Sequence, residues 1–273
     1  MIWLGLALAL TALWFSDRYA WWRPPVDYRH PRVLMYHMVS PHRKGARFNG
    51  LRVPPDRFEA QLAWLRRNGW QFFTLGELWA GWDTLPQKSV AITFDDGYAD
   101  NLHAALPLLE KYDAKATIYM VVDRHDRDWS TAKKAHHDSG ELARERKLSD
   151  EEVRRLLASG RIEIGSHTLT HINMKTTPLA DKRRELIESR RLLEQGFGAP
   201  VKSFAYPFGI YGAEDVALAR ECGYETAVTT VDGIDPCSPR PDPLELKRIK
   251  VSGKDSMLGF VMRMRGGKRG WRK

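Results

Sequence analysis

Val90-Ala91-Ile92-Thr93-Phe94 is a run of apolar and small residues that leads without a break into Asp95-Asp96-Gly97. A run of this length closed by a turn signal reads as a strand buried on both faces, as in parallel sheets. Working outward from it, the same unit recurs. Upstream, Val33-Leu34-Met35-Tyr36 ends at His37, and Phe58, Leu62 and Leu65 fall at helical spacing between Pro55-Asp56 and Gly69. Downstream, Leu102, Ala105, Leu106 and Leu109 share a helix face, and Ala116 to Val122 makes the next strand. Ser149-Asp150-Glu151-Glu152 is a capping box opening a helix that stops at Gly160, ahead of strand Ile162-Glu163-Ile164. Thr177-Pro178 opens a long helix to Gly196. Strand Ser203-Phe204-Ala205, a helix around Val216 to Ala219, and strands at Ala227 to Val231 and Leu246 to Val251 complete the series. Strands alternating with helices predict an α/β fold with a parallel sheet, either open and doubly wound or closed into a barrel. In both, the carboxyl ends of the strands share one rim, which gathers residues distant in the chain.

Composition is compatible with one enzyme-sized domain. The chain has 273 residues, 43% hydrophobic and 28% charged, which excludes global disorder. The net charge of +9 is concentrated at the end, where Arg263, Arg265, Lys268, Arg269, Arg272 and Lys273 have no acidic neighbour. With Gly266, Gly267 and Gly270 interspersed, residues 263–273 read as a basic tail, a mobile arm or a solvated end. No nucleic-acid partner is expected from it. Cys222 and Cys237 are too few for a disulfide scaffold or a four-cysteine zinc site, and their spacing leaves pairing open. Met1 to Phe15 carries no charge and is flanked by Trp14, Tyr19, Trp21 and Trp22, so residues 1–22 read as a short, uncleaved membrane anchor. Residues 23–262 remain as the catalytic domain. Within it Asp123 to Lys147 is dense in charge and lacks apolar periodicity, which predicts a long loop over the domain, a lid. His136 and His137 read there as surface residues.

Four strand ends deliver reactive groups: His37, then Asp95-Asp96, then His167 with His171, then Tyr206-Pro207. Successive side chains at a strand end point apart, so one of two adjacent carboxylates can hold a cation while the other faces substrate. His167 and His171, joined by Thr168-Leu169-Thr170, are spaced to approach one ion. Asp96 with two neutral imidazoles suits Zn²⁺ or another divalent transition metal, with a position left open as in catalytic rather than structural sites.

Thr93-Phe94-Asp95-Asp96-Gly97, Ser166-His167-Thr168-Leu169-Thr170-His171 and Ala205-Tyr206-Pro207-Phe208-Gly209 resemble, in that order, the first three motifs of the polysaccharide deacetylase family with the NodB homology domain, carbohydrate esterase family 4. Leu34-Met35-Tyr36-His37-Met38-Val39 is similar to the branch containing poly-N-acetylglucosamine deacetylases. The resemblance implies a distorted (β/α) barrel of the NodB type that removes N-acetyl groups from a cell-surface polysaccharide or glycolipid of the bacterial envelope. It assigns Asp95 as general base, Asp96, His167 and His171 as metal ligands, the Tyr206 backbone N–H to the oxyanion pocket and Pro207 to the groove wall. Two features depart from the family pattern. No Arg stands beside Phe204-Ala205-Tyr206 to orient the catalytic Asp, and Leu246-Lys247-Arg248-Ile249 occupies the place of a Leu-x-His general acid. His37 is the substitute acid, or else a structural histidine fixing its loop; Asp242 and Arg248 are candidates to contact Asp95 or substrate. The departures leave a second reading, a catalytically impaired glycan-binding protein.

Overall fold

The computed structural model describes residues 2–134, 136–268 and 270. Eight strands, β1 (Arg32–Tyr36), β2 (Gln71–Phe73), β3 (Ser89–Asp95), β4 (Ala116–Met120), β5 (Ile162–Ser166), β6 (Ser203–Ala205), β7 (Thr226–Asp232) and β8 (Leu246–Lys250), pair in parallel in the order β1-β8-β7-β6-β5-β4-β3-β2. A further pairing, Leu34 with Ile92 and Tyr36 with Phe94, joins β1 to β3 and closes a barrel. β2 takes only the first part of the β3 edge that β4 occupies further on, so the closed ring has seven strands. The helices are α1 (Ile2–Tyr19), α2 (Pro55–Arg67), α3 (Leu75–Ala80), α4 (Leu106–Lys111), α5 (Ser130–Lys133), α6 (Asp150–Ala158), α7 (Leu179–Phe197), α8 (Ala213–Glu221) and α9 (Met257–Gly266). Of the two architectures the alternation allows, the barrel is the one formed.

The period of two along each strand sorts the core into two layers. Leu34, Tyr36, Ile92, Phe94, Ile118, Ile164, Phe204 and Ile249 point outward and pack with Phe58, Leu62 and Leu65 of α2, Leu186 and Leu193 of α7, and Phe260 of α9. Each fully buried large apolar side chain contributes about 1.5–3 kcal/mol. The intervening residues Val33, Ala91, Tyr119, Ala205, Val228 and Leu246 point inward and meet Leu75, Leu78 and Trp82, so α3 and the turn after it plug the barrel floor. The Leu75 and Gly76 N–H groups at the start of α3 donate to Thr117 Oγ1 and Glu163 Oε2, both at 2.8 Å. Gly165 has a positional reason: a Cβ there would lie 2.5 Å from the Tyr119 ring, which crosses the barrel to place its hydroxyl 2.7 Å from Ser203 Oγ.

Two expectations about the ends are corrected. Among the described residues no helix is long and apolar enough to cross a membrane. α1 includes Asp17 and Arg18, and its uncharged part spans about 22 Å at 1.5 Å per residue against a hydrocarbon core of about 30 Å. The segment is also continuous with the domain rather than separate from it: Ala20 is buried, Tyr19 Oη lies 3.4 Å from Ser256 Oγ, and Arg265 Nη1 donates to the Trp21 carbonyl at 2.7 Å. The basic stretch is not a mobile arm at its start, because Arg263 and Arg265 belong to α9, which ends at a left-handed Gly267. Arg263 is buried 3.1 Å from Asp255. Arg269, Arg272 and Lys273 lie outside the described residues. Cys222 and Cys237 are both free thiols.

Candidate metal and catalytic site

The inward register that fills the barrel with apolar residues at the floor carries reactive groups at the rim. Continuing the inward set by two residues takes Met35 to His37, Thr93 to Asp95, Gly165 to His167 and Arg248 to Lys250. His37, Asp95, His167 and Lys250 all line one cavity of about 360 Å³, together with Asp96 and His171. Asp96, Thr168, His171 and Phe208 are non-glycine residues with φ between 58° and 77°. Left-handed backbone at such residues costs on the order of 1–3 kcal/mol each, and its concentration around a single cavity marks a site whose geometry is imposed by its surroundings. The loop after β5 is held by Thr168 Oγ1, which accepts from the His171 N–H at 2.9 Å. Glu185 of α7 holds it from outside, accepting from both the N–H and the hydroxyl of Thr170 at 2.8 Å.

Asp96 Oδ1 lies 3.5 Å from His167 Nε2 and 3.3 Å from His171 Nε2, and one ligand atom from each residue falls within 4.8 Å of the others. His167 Nδ1 is 2.7 Å from the Ala205 carbonyl, an atom that can only accept. The proton therefore sits on Nδ1, and Nε2 turns its lone pair toward a carboxylate oxygen. Burial, reinforced by the neighbouring His171, pushes the His167 imidazole down to about 4, which keeps it neutral near pH 7. The Asp96 carboxyl is held below the usual range: burial opposes ionisation, and the His171 ring outweighs it. An ionised carboxylate facing a neutral imidazole lone pair is a site for a cation, and three buried N and O donors with an open side fit a divalent transition metal. Trp129 stacks on His171 with ring centroids 4.8 Å apart, which fixes the imidazole plane.

Asp95 is gripped from below. Arg248 Nη1 and Nη2 donate to its two oxygens at 2.7 and 2.8 Å, while Arg248 Nε donates to the Thr229 carbonyl at 2.8 Å and Nη1 also to Thr93 Oγ1 at 3.0 Å. Both side chains are buried. Burial alone would raise the Asp95 carboxyl, but the guanidinium outweighs it and the group stays below its ordinary value. His37 Nε2 stands 4.0 Å from Asp95 Oδ2 on the cavity side. Of the two candidates for contact with Asp95, Arg248 makes it; Asp242 lies elsewhere, 2.9 Å from Arg220.

Other site expectations change. The Tyr206 N–H is not a free oxyanion donor, because the β6–β7 register directs it to the Val228 carbonyl at 3.3 Å. Pro207 is buried and is not part of the cavity wall; the adjacent Phe208, turned by its positive φ, takes that place. His136 is exposed, but His137 lines the cavity and packs edge-on to Phe48. The segment read as a lid does cover the site through Trp129, Ser130 and Leu142, and it is fastened: Arg52, fully buried, reaches Glu141 and Glu145 at 2.7 Å each.

Near that fastening, burial pushes the Asp100 carboxyl up to about 7, with Glu145 adding to the effect and Arg52 opposing it. The folded state then binds the proton more tightly than the unfolded chain. The stabilising contribution of the protonated group is present at low pH and is lost as pH rises through about 7. Asp100→Asn should make the protein more resistant to urea at pH 8 by on the order of 2 kcal/mol and flatten the dependence of the midpoint between pH 5 and 8.

The family model for polysaccharide deacetylases matches residues 83–227. The protein YxkH of Bacillus subtilis (strain 168), whose name places it among polysaccharide deacetylases, is 33% identical over 240 residues, 87% of this chain and 76% of its own. A poly-β-1,6-N-acetyl-D-glucosamine N-deacetylase of Staphylococcus aureus (strain MSSA476) is 24% identical over 181 residues, 63% of this chain and 58% of its own. A solved polysaccharide deacetylase from Bacillus cereus superposes with a TM-score of 0.73 at 29% identity, covering 86% of this chain and 69% of that one. Family match, relatives and barrel agree: the chain belongs to the polysaccharide deacetylase family, of the NodB type.

Proposed function

We propose that the protein is a metal-dependent hydrolase that removes N-acetyl groups from an N-acetylated sugar of a cell-surface polysaccharide or glycolipid in the bacterial envelope. The observation that carries this reading is the placement of Asp95, fixed by Arg248, beside the Asp96, His167 and His171 cluster in one cavity. Asp96, His167 and His171 would hold the metal, which when bound supplies a Lewis acid for the acetyl carbonyl and acidifies a water. Asp95 acts as general base: ionised and aimed by Arg248, it takes the proton that water gives up as its oxygen bonds to the acyl carbon. His37, on the cavity side of Asp95, is placed to give a proton to the nitrogen as the C–N bond breaks. Acetate and a free amine result. Trp129 and Phe208, packed against His171, limit the water that reaches the ring.

The alternative of an impaired glycan-binding protein rests on the absence of an orienting Arg near Tyr206 and of a Leu-x-His acid; Arg248 meets the first need from β8, and His37 is the candidate for the second. Acetate release from a panel of N-acetylated glycans, measured with and without chelator, tests the proposal. Activity should vanish on chelation and return with a divalent metal. Release that is indifferent to chelator, or binding of glycans without release by metal-loaded protein, would overturn it.

A further inference from the structure

We propose that the cavity selects a glycan carrying a phosphate group beside the N-acetyl sugar it acts on, and that Lys133, Lys134 and Lys250 bind that phosphate. The inference rests on the deacetylase reading above and names its substrate class. The three lysines come from opposite sides of the site: Lys133 and Lys134 from α5 and its end, in the covering segment, and Lys250 from the inward-facing end of β8. All three line the cavity that contains Asp96, His167 and His171.

Among the described residues none of the three has an ion-pair partner; Lys133 Nζ stands 5.7 Å from the centre of the Phe208 ring, a contact that leaves its charge without a counter-ion. This is unlike the lysines around them. Lys247, on the same strand as Lys250, lies 3.2 Å from Asp235, and Lys182 lies 2.6 Å from Asp215. The Lys133 ammonium is held below its usual range, first by partial burial and then by repulsion from Lys250 and Lys134. The carboxylates of the cavity cannot answer them. Asp95 is already paired with Arg248, and Asp96 faces the two imidazoles, where a metal would add further positive charge. Converged, uncompensated like charges in a cavity are destabilising unless a ligand brings the counter-charge.

The chemistry of the product argues in the same direction. Each deacetylation converts a neutral amide into an amine that is protonated near neutral pH, so a neutral homopolymer becomes cationic as it is processed and is repelled by three lysines. A phosphate beside the reacting sugar removes that conflict. An ammonium binds phosphate as a point charge, so lysines that converge from opposite sides can each meet one of its oxygens.

The test uses three trisaccharides of N-acetylglucosamine, one neutral, one bearing a phosphodiester next to the reacting sugar and one bearing a carboxylate there. For the metal-loaded wild type, kcat/KM should be at least about tenfold higher for the phosphorylated compound, mainly through KM, and the preference should shrink as salt rises from about 50 to 500 mM. Lys133→Gln with Lys250→Gln should remove that gain, lowering kcat/KM on the phosphorylated compound by at least about tenfold, and bring the preference near unity. Binding to Asp95→Asn protein, read by tryptophan fluorescence, should give the same ranking without turnover. Equal binding of all three compounds, a preference that survives in the double variant, or tighter binding of the carboxylate would overturn the proposal. Tight, lysine-dependent binding of the phosphorylated glycan with no acetate released from any compound would instead sink the deacetylase reading and leave the phosphate site standing.

Discussion

Asp95→Asn is expected to lower kcat for acetate release by about 10²–10⁴-fold, the range a positioned general base contributes, while the protein still binds metal. The substitution keeps the shape of the side chain and removes its charge and basicity. Arg248 would then face an amide, but it keeps its bonds to the Thr229 carbonyl and Thr93 hydroxyl, so the guanidinium is not stripped of partners. Asp96, His167 and His171 are untouched in sequence, and the cluster they form does not include Asp95. Activity and metal content should therefore separate: steady-state kinetics fall while bound metal does not. A variant within about threefold of wild type would remove Asp95 from the base role, since a loss that small is below what such a base supplies.

Arg248→Met should be the more damaging change to the fold. It leaves the Asp95 carboxylate buried without its guanidinium partner, with the His37 ring 4.0 Å away. Removing one member of a buried ion pair costs about 3–5 kcal/mol, because the remaining charge keeps its desolvation penalty without the compensating attraction. Urea unfolding should show a loss of that order. The kcat of the folded fraction should drop as well, since burial then loses its main counterweight and the carboxyl spends less time ionised. Arg248→Lys should recover part of the stability but little of the rate, because an ammonium supplies charge without the two parallel bonds that orient the carboxylate. If Arg248→Met were as stable as wild type, Arg248 would not be the residue that anchors Asp95.

The parts of this site that could be read in advance, and the parts that could not, divide along physical lines. β1, β3 and β5 are compact apolar runs, and their ends at His37, Asp95-Asp96 and His167 are visible as abrupt changes from apolar to reactive residues. The cluster of Asp96, His167 and His171 follows from those ends, because parallel strands must place them on one rim. β2 was not legible: Gln71–Phe73 is too short for a period of two to show. Leu-Lys-Arg-Ile-Lys reads as a strand with polar groups on both faces, so the sequence alone does not choose between Arg248 and Asp242. Only barrel closure decides that Arg248 and Lys250 face inward. The β6–β7 register, which commits the Tyr206 N–H to the Val228 carbonyl, is not visible in the sequence. Lys133, Lys134 and His137 looked like solvated members of a charged loop, and they become cavity residues only because Arg52 ties that loop down across the rim. α9 is obscured by Gly259 and Gly266, whose low helix propensity is overridden by the packing of Phe260 and Met264 into the outer core, while Gly267 ends the helix. The uncharged N-terminal stretch looked separable because nothing in its composition indicates that its end docks on α9.

Everything proposed for the chemistry depends on a cation held by Asp96, His167 and His171. Equilibrium dialysis of the purified protein against zinc, followed by elemental analysis, measures it without reference to any substrate. Wild-type protein should retain about one metal ion per chain, as expected for a single site with three protein ligands, and folded His167→Ala with His171→Ala should retain none. Metal-free wild type after dialysis, or a double variant that still carries a full equivalent, would contradict the assignment.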